Sequence, residues 1–202
     1  RDVAVILNLD TNKYNNPVDF KKMARDALLI EDKRIPEIKE PCITVEYKKN
    51  GDEKFHIDFP IYAKDDIGWH YLGRGREHSN EENRDWESAD PEGLNEYFIN
   101  KLSGDDGQQL KRIIRYLKKW RNEKYCNSNN DNEIPPSIGL TILPCENFQV
   151  KKEEDGYNDL EALYQVVERI KNSFIIRTDS DGNIVWANIV CKLPVTPRTD
   201  VF

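Results

Sequence analysis

Apolar positions along this chain follow two spacings. Short β-favouring runs alternate with stretches of 3.6-residue stripes, the pattern of an α+β protein. The first run, Val3-Ala4-Val5-Ile6-Leu7, reads as a strand. An Asn-rich loop from Asn8 to Pro17 follows, then a helix over Val18 to Leu29 with Phe20, Met23, Ala24, Ala27 and Leu28 at helical spacing. After a connector broken by Pro36 and Pro41, Cys42 to Tyr47 and Lys54 to Ala63 are β-rich and flank a Lys49-Asn50-Gly51-Asp52 turn, which predicts a hairpin. Lys64 to Arg84 is polar and holds Gly68, Gly73 and Gly75, so it reads as a loop or boundary.

Beyond that stretch the pattern is mostly helical. Asp90-Pro91-Glu92-Gly93-Leu94 has the form of a cap followed by proline in the first turn, predicting a helix to about Leu102, broken at Gly104 to Gly107. The next helix, Gln108 to Asn122, carries Leu110, Ile113, Ile114, Leu117 and Trp120 on one stripe, with Lys111, Arg115 and Lys118 on another face. A polar insert, Asn127 to Glu133, precedes Ile134 to Leu143, a buried segment whose type periodicity leaves open. Asn158 to Ser173 is amphipathic, and a second hairpin is predicted from Phe174 to Arg177 and Ile184 to Ile189 around Asp179-Ser180-Asp181-Gly182-Asn183.

At 202 residues and 38% hydrophobic content the chain can bury a substantial core, as one large domain or two small ones. It shows no apolar run near the roughly 18 residues of a membrane span and no signal-peptide pattern, so a cytoplasmic, membrane-free protein is expected. Cys42, Cys126, Cys145 and Cys191 are widely separated, which fits reduced thiols better than zinc or a disulfide framework. A net charge of −7 argues against duplex nucleic acid as a partner. Positive charge is concentrated from Leu110 to Arg121, where small anions could bind.

Two carboxylates interrupt apolar β-favouring runs. Asp58 lies inside Phe55-His56-Ile57-Asp58-Phe59-Pro60-Ile61-Tyr62-Ala63, and Asp2 stands in front of the first strand. An acid in such a run is costly without a partner, and oxygen ligands alone suit Mg²⁺ shared with phosphates. His56 alternates with Asp58 on one strand face as a supporting partner or a filler. His70 and His78 are expected in solvent, with Trp69 and Tyr71 pinning their loop to the core, the alternative being that they stack on a base.

Six segments occur in a telling order. They are Asp2-Val3-Ala4-Val5-Ile6-Leu7; Pro41-Cys42-Ile43-Thr44-Val45-Glu46-Tyr47; His56 to Ala63; Trp86 with Ala89-Asp90-Pro91-Glu92-Gly93-Leu94; Arg115-Tyr116-Leu117-Lys118-Lys119-Trp120; and Pro136-Ser137-Ile138-Gly139-Leu140-Thr141. Together the chain resembles the cyclic GMP-AMP synthase-like, DncV-like nucleotidyltransferases of bacterial antiphage signalling. That resemblance implies an α+β, polymerase-β-like core over residues 1–75 and a mainly helical lobe with a late hairpin over 76–202. It implies an enzyme joining ATP, GTP or similar nucleotides into a cyclic di- or trinucleotide second messenger, with two Mg²⁺ ions, or Mn²⁺, held by carboxylates.

Asp2 matches the second acid of the family's D-x-D pair and Asp58 the third. The first acid would lie one residue before Arg1, and neither it nor the preceding Gly-Ser turn is in this sequence. The chain reads as an internal piece of a longer protein, or as one whose ends are trimmed, and is expected to be inactive or crippled as it stands. Lys118 and Arg115 match positions that hold the donor triphosphate, the rival reading being a solvated helix face. Ser137 matches a serine near the donor nucleotide, or caps a helix. Asp90 matches a position near the acceptor base, or is an N-cap, and Ala89 stands where some relatives carry serine. Implied partners are nucleoside triphosphates and the regulatory and effector proteins of an antiphage operon. The alternatives are a single-step nucleotidyltransferase acting on RNA or protein, and a non-catalytic nucleotide-binding scaffold.

Overall fold

The computed structural model describes residues 2–30, 34–49, 52–128 and 134–202, so positions 50 and 51 of the first predicted turn and 129–133 of the polar insert lie outside the described residues. Two compact units divide between Glu92 and Gly93, whereas the sequence reading placed the boundary at 75/76. The first contains β1 (Val5–Asn8), α1 (Pro17–Leu28), β2 (Glu37–Ile38), β3 (Ile43–Lys49), β4 (Asp52–Phe59), β5 (Ile61–Lys64), β6 (His70–Gly73) and β7 (Trp86–Ala89). The second contains α2 (Pro91–Leu102, which begins at the boundary), α3 (Gly104–Lys124), α4 (Gly139–Asn147), β8 (Lys152–Glu153), β9 (Gly156–Tyr157), α5 (Asp159–Asn172), β10 (Ile175–Thr178) and β11 (Ile184–Asn188).

Proline organises the first unit. The predicted Lys54 to Ala63 run is two strands, because Pro60 has no N–H to give a ladder. Before it, β4 closes a three-stranded antiparallel sheet in the order β2-β3-β4. After it, β5 joins a sheet in the order β1-β5-β6-β7, parallel to β1 in the register Val5↔Ile61 to Asn8↔Lys64. The polar 64–84 stretch, expected as loop, contributes β6, which pairs with both β5 and β7. Pro17 opens α1, with the Asn16 carboxamide oxygen accepting from Val18 N at 3.2 Å. Ile38, Ile43, Ile61, Ala63 and Trp86 form the core between these layers, with Phe20, Ala24 and Leu28 of α1 packed against it. Met23, read as part of that stripe, is exposed.

In the second unit α3 buries Leu110, Ile113 and Ile114 as the stripe predicts, while Trp120 at its far end is half exposed. The ambiguous 134–143 segment yields α4, buried on all sides from Gly139 to Cys145; a helix without a polar face leaves no periodic signal. From α5, Ala162 and Val166 meet Ile113, and the Arg112 guanidinium forms a two-pronged pair with Asp159 at its start. The β10–β11 hairpin forms as expected, with every residue of both strands exposed. Among the described residues no helix is long and apolar enough to cross a membrane.

The predicted break at Gly104 to Gly107 is instead the first turn of α3, because small residues are needed where it leaves α2. A Cβ on Gly107 would stand 2.6 Å from the carbonyl oxygen and 2.9 Å from the Cα of Leu102, both backbone atoms. Gly107→Ala is therefore expected to destabilise the protein by about 1–3 kcal/mol, an overpacking cost readable in urea denaturation midpoints.

Candidate functional site

Register brings the two strand-borne acids together. Asp2 and Asp58 form a parallel bridge, in the offset that β1 and β5 continue at Val5↔Ile61, and Val3 N donates to Asp58 O at 2.8 Å. Partners in one ladder project to the same face about 5 Å apart, so the two carboxylates leave the sheet side by side. This pair sits where the two sheets of the first unit meet, at the end of β4. Asp2 is exposed and Asp58 is 27% exposed, which leaves both accessible to a ligand.

The surroundings of Asp58 are built from β3 and β4. Thr44 lies directly opposite it in the antiparallel register, and the Thr44 hydroxyl donates to Asp58 Oδ1 at 2.6 Å. His56, two residues earlier on the same face, places Nε2 3.7 Å from Oδ2. Burial pushes the Cys42 thiol up in pKa, a Thr44 hydrogen bond works against this, and the charge of Asp58 adds to the rise. The thiol thus stays protonated and adds no negative charge behind the acid. Nearby, burial and then the charge of Asp2 raise the Tyr62 phenol.

Among the described residues there is no group of three or more His, Cys, Asp or Glu side chains that could hold a metal. The described residues therefore do not make a complete protein cage. Two adjacent carboxylates do fit Mg²⁺, which binds through one or two carboxylates and takes its remaining ligands from water and phosphate.

Asp90 follows the last residue of β7 and precedes Pro91 of α2, partly buried. Because Lys64 pairs with His70 and His70 with Ala89, it lies at the far end of β5 from Asp2 and Asp58. Beside it, Glu92 receives Lys64 at 3.0 Å and stands 3.3 Å from His70 Nε2. That second contact is not a hydrogen bond, and among the described residues Nε2 has no hydrogen-bond partner. His70 is buried at 5% exposure, against the expectation of solvent, because β6 is a central strand. Trp69 is the reverse: expected to pin its loop, it is 53% exposed on a turn whose backbone N–H groups donate to Asp65. Tyr71 does pack on the core.

The basic and serine candidates belong to the second unit. Lys118 on α3 is half-buried; its pKa is lowered by burial and then by the charge of Arg121, and among the described residues it makes no ion pair. Arg115, one turn earlier, is exposed. Arg121 donates to Pro135 O at 2.5 Å, tying α3 to the turn that carries Ser137. Ser137 is exposed and its carbonyl accepts from the Thr141 hydroxyl at 3.1 Å; Ile138 rather than Ser137 occupies the cap of α4. Sequence reasoning missed Thr44, whose contact with Asp58 shows only through strand register.

No family profile matches the chain. Over 192 residues, 91% of this chain, it is 25% identical to a cyclic GMP-AMP synthase of Escherichia albertii, and it spans 40% of that relative's length. Among solved structures it is similar to the Bradyrhizobium diazoefficiens CD-NTase CdnG in complex with GTP, at TM-score 0.58 and 11% identity, over 85% of this chain and 56% of that one. It is also similar to the Vibrio cholerae DncV cyclic AMP-GMP synthase, a prokaryotic cGAS homolog, at TM-score 0.57 and 19% identity, over 98% of this chain and 51% of that one. The GTP-bound form of DncV matches at TM-score 0.52 and 21% identity, over 83% and 42%. At these identities the structural likenesses speak for the fold.

Proposed function

We propose that this chain, a member of the bacterial cGAS/DncV-like nucleotidyltransferases with their α+β, polymerase-β-like fold, supplies catalytic acids and nucleotide-binding residues to an enzyme that links nucleoside triphosphates into a cyclic di- or trinucleotide. The observation that carries the reading is the in-register pairing of Asp2 and Asp58 on adjacent strands.

In the reaction a ribose hydroxyl of one nucleotide attacks the α-phosphorus of another. An O–P bond forms, the bond to pyrophosphate breaks, and the hydroxyl proton must be taken up. Asp2 and Asp58 would hold Mg²⁺, which supplies charge neutralisation on the phosphates and acidifies the attacking hydroxyl. Asp58 Oδ2 would accept the proton, a reading supported by the engagement of Oδ1 with Thr44. Lys118 offers a point charge and Arg115 a fork to the donor triphosphate. Ser137 would contact the donor nucleotide and Asp90 the acceptor base, where its carboxylate can accept from guanine N1 and N2. On the family resemblance the product is a second messenger of antiphage signalling.

A half-buried lysine that makes no ion pair among the described residues suits phosphate. Lys118→Ala is expected to raise KM for the donor nucleotide by about 10–100-fold, the worth of one hydrogen bond to a charged group, with less effect on kcat; initial-rate kinetics check this. The reading itself is tested by incubating the full-length protein with labelled ATP, GTP, CTP and UTP plus Mg²⁺, followed by phosphatase treatment and chromatography. A phosphatase-resistant product supports it. Binding of nucleotides with no product under any metal would favour a scaffold, and a labelled RNA or protein would favour single-step transfer.

A further inference from the structure

Asp58 Oδ1 has a buried partner. Thr44 is 2% exposed, sits directly across from Asp58 in the β3–β4 ladder, and gives its only hydroxyl proton to Oδ1 at 2.6 Å. Behind it, Cys42 Sγ lies 3.7 Å from Thr44 Oγ1, close enough to share a weak hydrogen bond with the hydroxyl. A buried hydroxyl needs such a partner, and a β-branched side chain has few rotamers in which to find one. The contact therefore fixes the carboxylate's rotation as well as satisfying the threonine. The two oxygens become unequal, because Oδ1 is spent on Thr44 while Oδ2 faces His56 Nε2 at 3.7 Å, beyond hydrogen-bond range; the Cys42 thiol also interacts with the carboxylate from the buried side.

We infer that Thr44 is a positioning residue for Asp58, locking the carboxylate so that Oδ2 is the oxygen presented to a divalent cation and to the ribose proton. This rests on the assignment of Asp58 as a catalytic acid made above. Outer partners of this kind orient a ligand before the cation arrives, and their loss typically costs 10–100-fold in metal affinity or activity. A freely turning carboxylate would spread its lone pairs over orientations that do not converge with Asp2.

The test uses the full-length protein and Mn²⁺, whose binding is read directly by electron paramagnetic resonance titration without turnover. Thr44→Val keeps the shape and removes the hydroxyl; Thr44→Ser keeps the hydroxyl. The expected result for Thr44→Val is about tenfold weaker Mn²⁺ binding and a kcat lower by a similar factor, with KM for nucleotides within about twofold, while Thr44→Ser stays near wild type. If Thr44→Val binds Mn²⁺ and turns over like wild type, or if Thr44→Ser is as impaired as Thr44→Val, the hydroxyl does not position Asp58. Should Thr44→Val fail to fold, Thr44→Ala against Thr44→Ser repeats the comparison. Asp58→Asn separates the layers: Mn²⁺ binding unchanged in that variant removes the metal role of Asp58 and this inference with it, whereas a loss there with no effect of Thr44→Val removes this inference alone.

Discussion

Asp58→Asn is expected to lower kcat by about a thousandfold or more while the fold survives, since several kcal/mol of transition-state charge stabilisation pass through this one group. The substitution is nearly isosteric, and the carboxamide oxygen can still accept from the Thr44 hydroxyl, so the β3–β4 pairing and the Thr44 hydrogen bond have no reason to fail. What disappears is the negative charge beside Asp2 and a proton acceptor at Oδ2. The loss should fall on kcat rather than on nucleotide KM, because binding of the triphosphate is assigned to other residues. The measurement is product formation from labelled nucleotides by full-length protein, with thermal melting as the control for folding. A variant that keeps more than about a tenth of the wild-type rate at an unchanged melting temperature would sink the catalytic assignment of Asp58.

The two acids stood out as candidates in the sequence because a carboxylate inside a β-favouring apolar run contradicts its neighbours. Their pairing did not, because it depends on a parallel register that jumps from β1 to a strand some fifty residues later, across Pro60. Helices α3 and α5 were legible for the opposite reason: each has one apolar stripe and one polar face, so its period survives in the sequence. The central strand β6 and its neighbour β7 were hidden by brevity, four residues each, and by polar flanks; what makes them strands is pairing, of β6 on both sides and of β7 with β6. The same fact inverted the reading of His70 and Trp69, adjacent residues of which one enters the ladder and the other leaves it at the turn. Lys21 was the least legible of all, a lysine on an ordinary amphipathic helix that the structure buries completely.

That lysine carries the largest expected effect on stability, and its size depends on pH. Lys21 Nζ donates to the carbonyls of Glu40 at 2.5 Å, Gly75 at 3.0 Å and Lys39 at 3.3 Å, joining α1 to the segment before β3 and to the turn after β6. Gly75 can take this position because its φ of +112° is open to glycine, and its N–H also donates to Glu40 O. Burial lowers the lysine pKa from 10.5 to about 8; Cys42 and Glu40 oppose the shift and Arg74 adds to it. Near neutral pH the folded protein therefore carries a desolvated ammonium whose cost offsets much of what its hydrogen bonds contribute. Lys21→Met leaves the Lys39 and Gly75 carbonyls without this donor but also removes that cost, so the net loss at pH 7 should be small, about 1 kcal/mol. Between pH 8 and 10.5 the unfolded chain holds more protons at this residue than the folded one, so the wild type gains stability as pH rises, and the variant lacks that gain. The gap between them should widen by about 2–3 kcal/mol from pH 7 to pH 10. Urea denaturation of both proteins across this range measures it as a difference, which cancels the opposing titrations of Cys42 and Tyr62 to the extent that they are shared. A gap that stays constant with pH would mean that the ammonium keeps its ordinary affinity for its proton, and that the three carbonyls solvate it as well as water does.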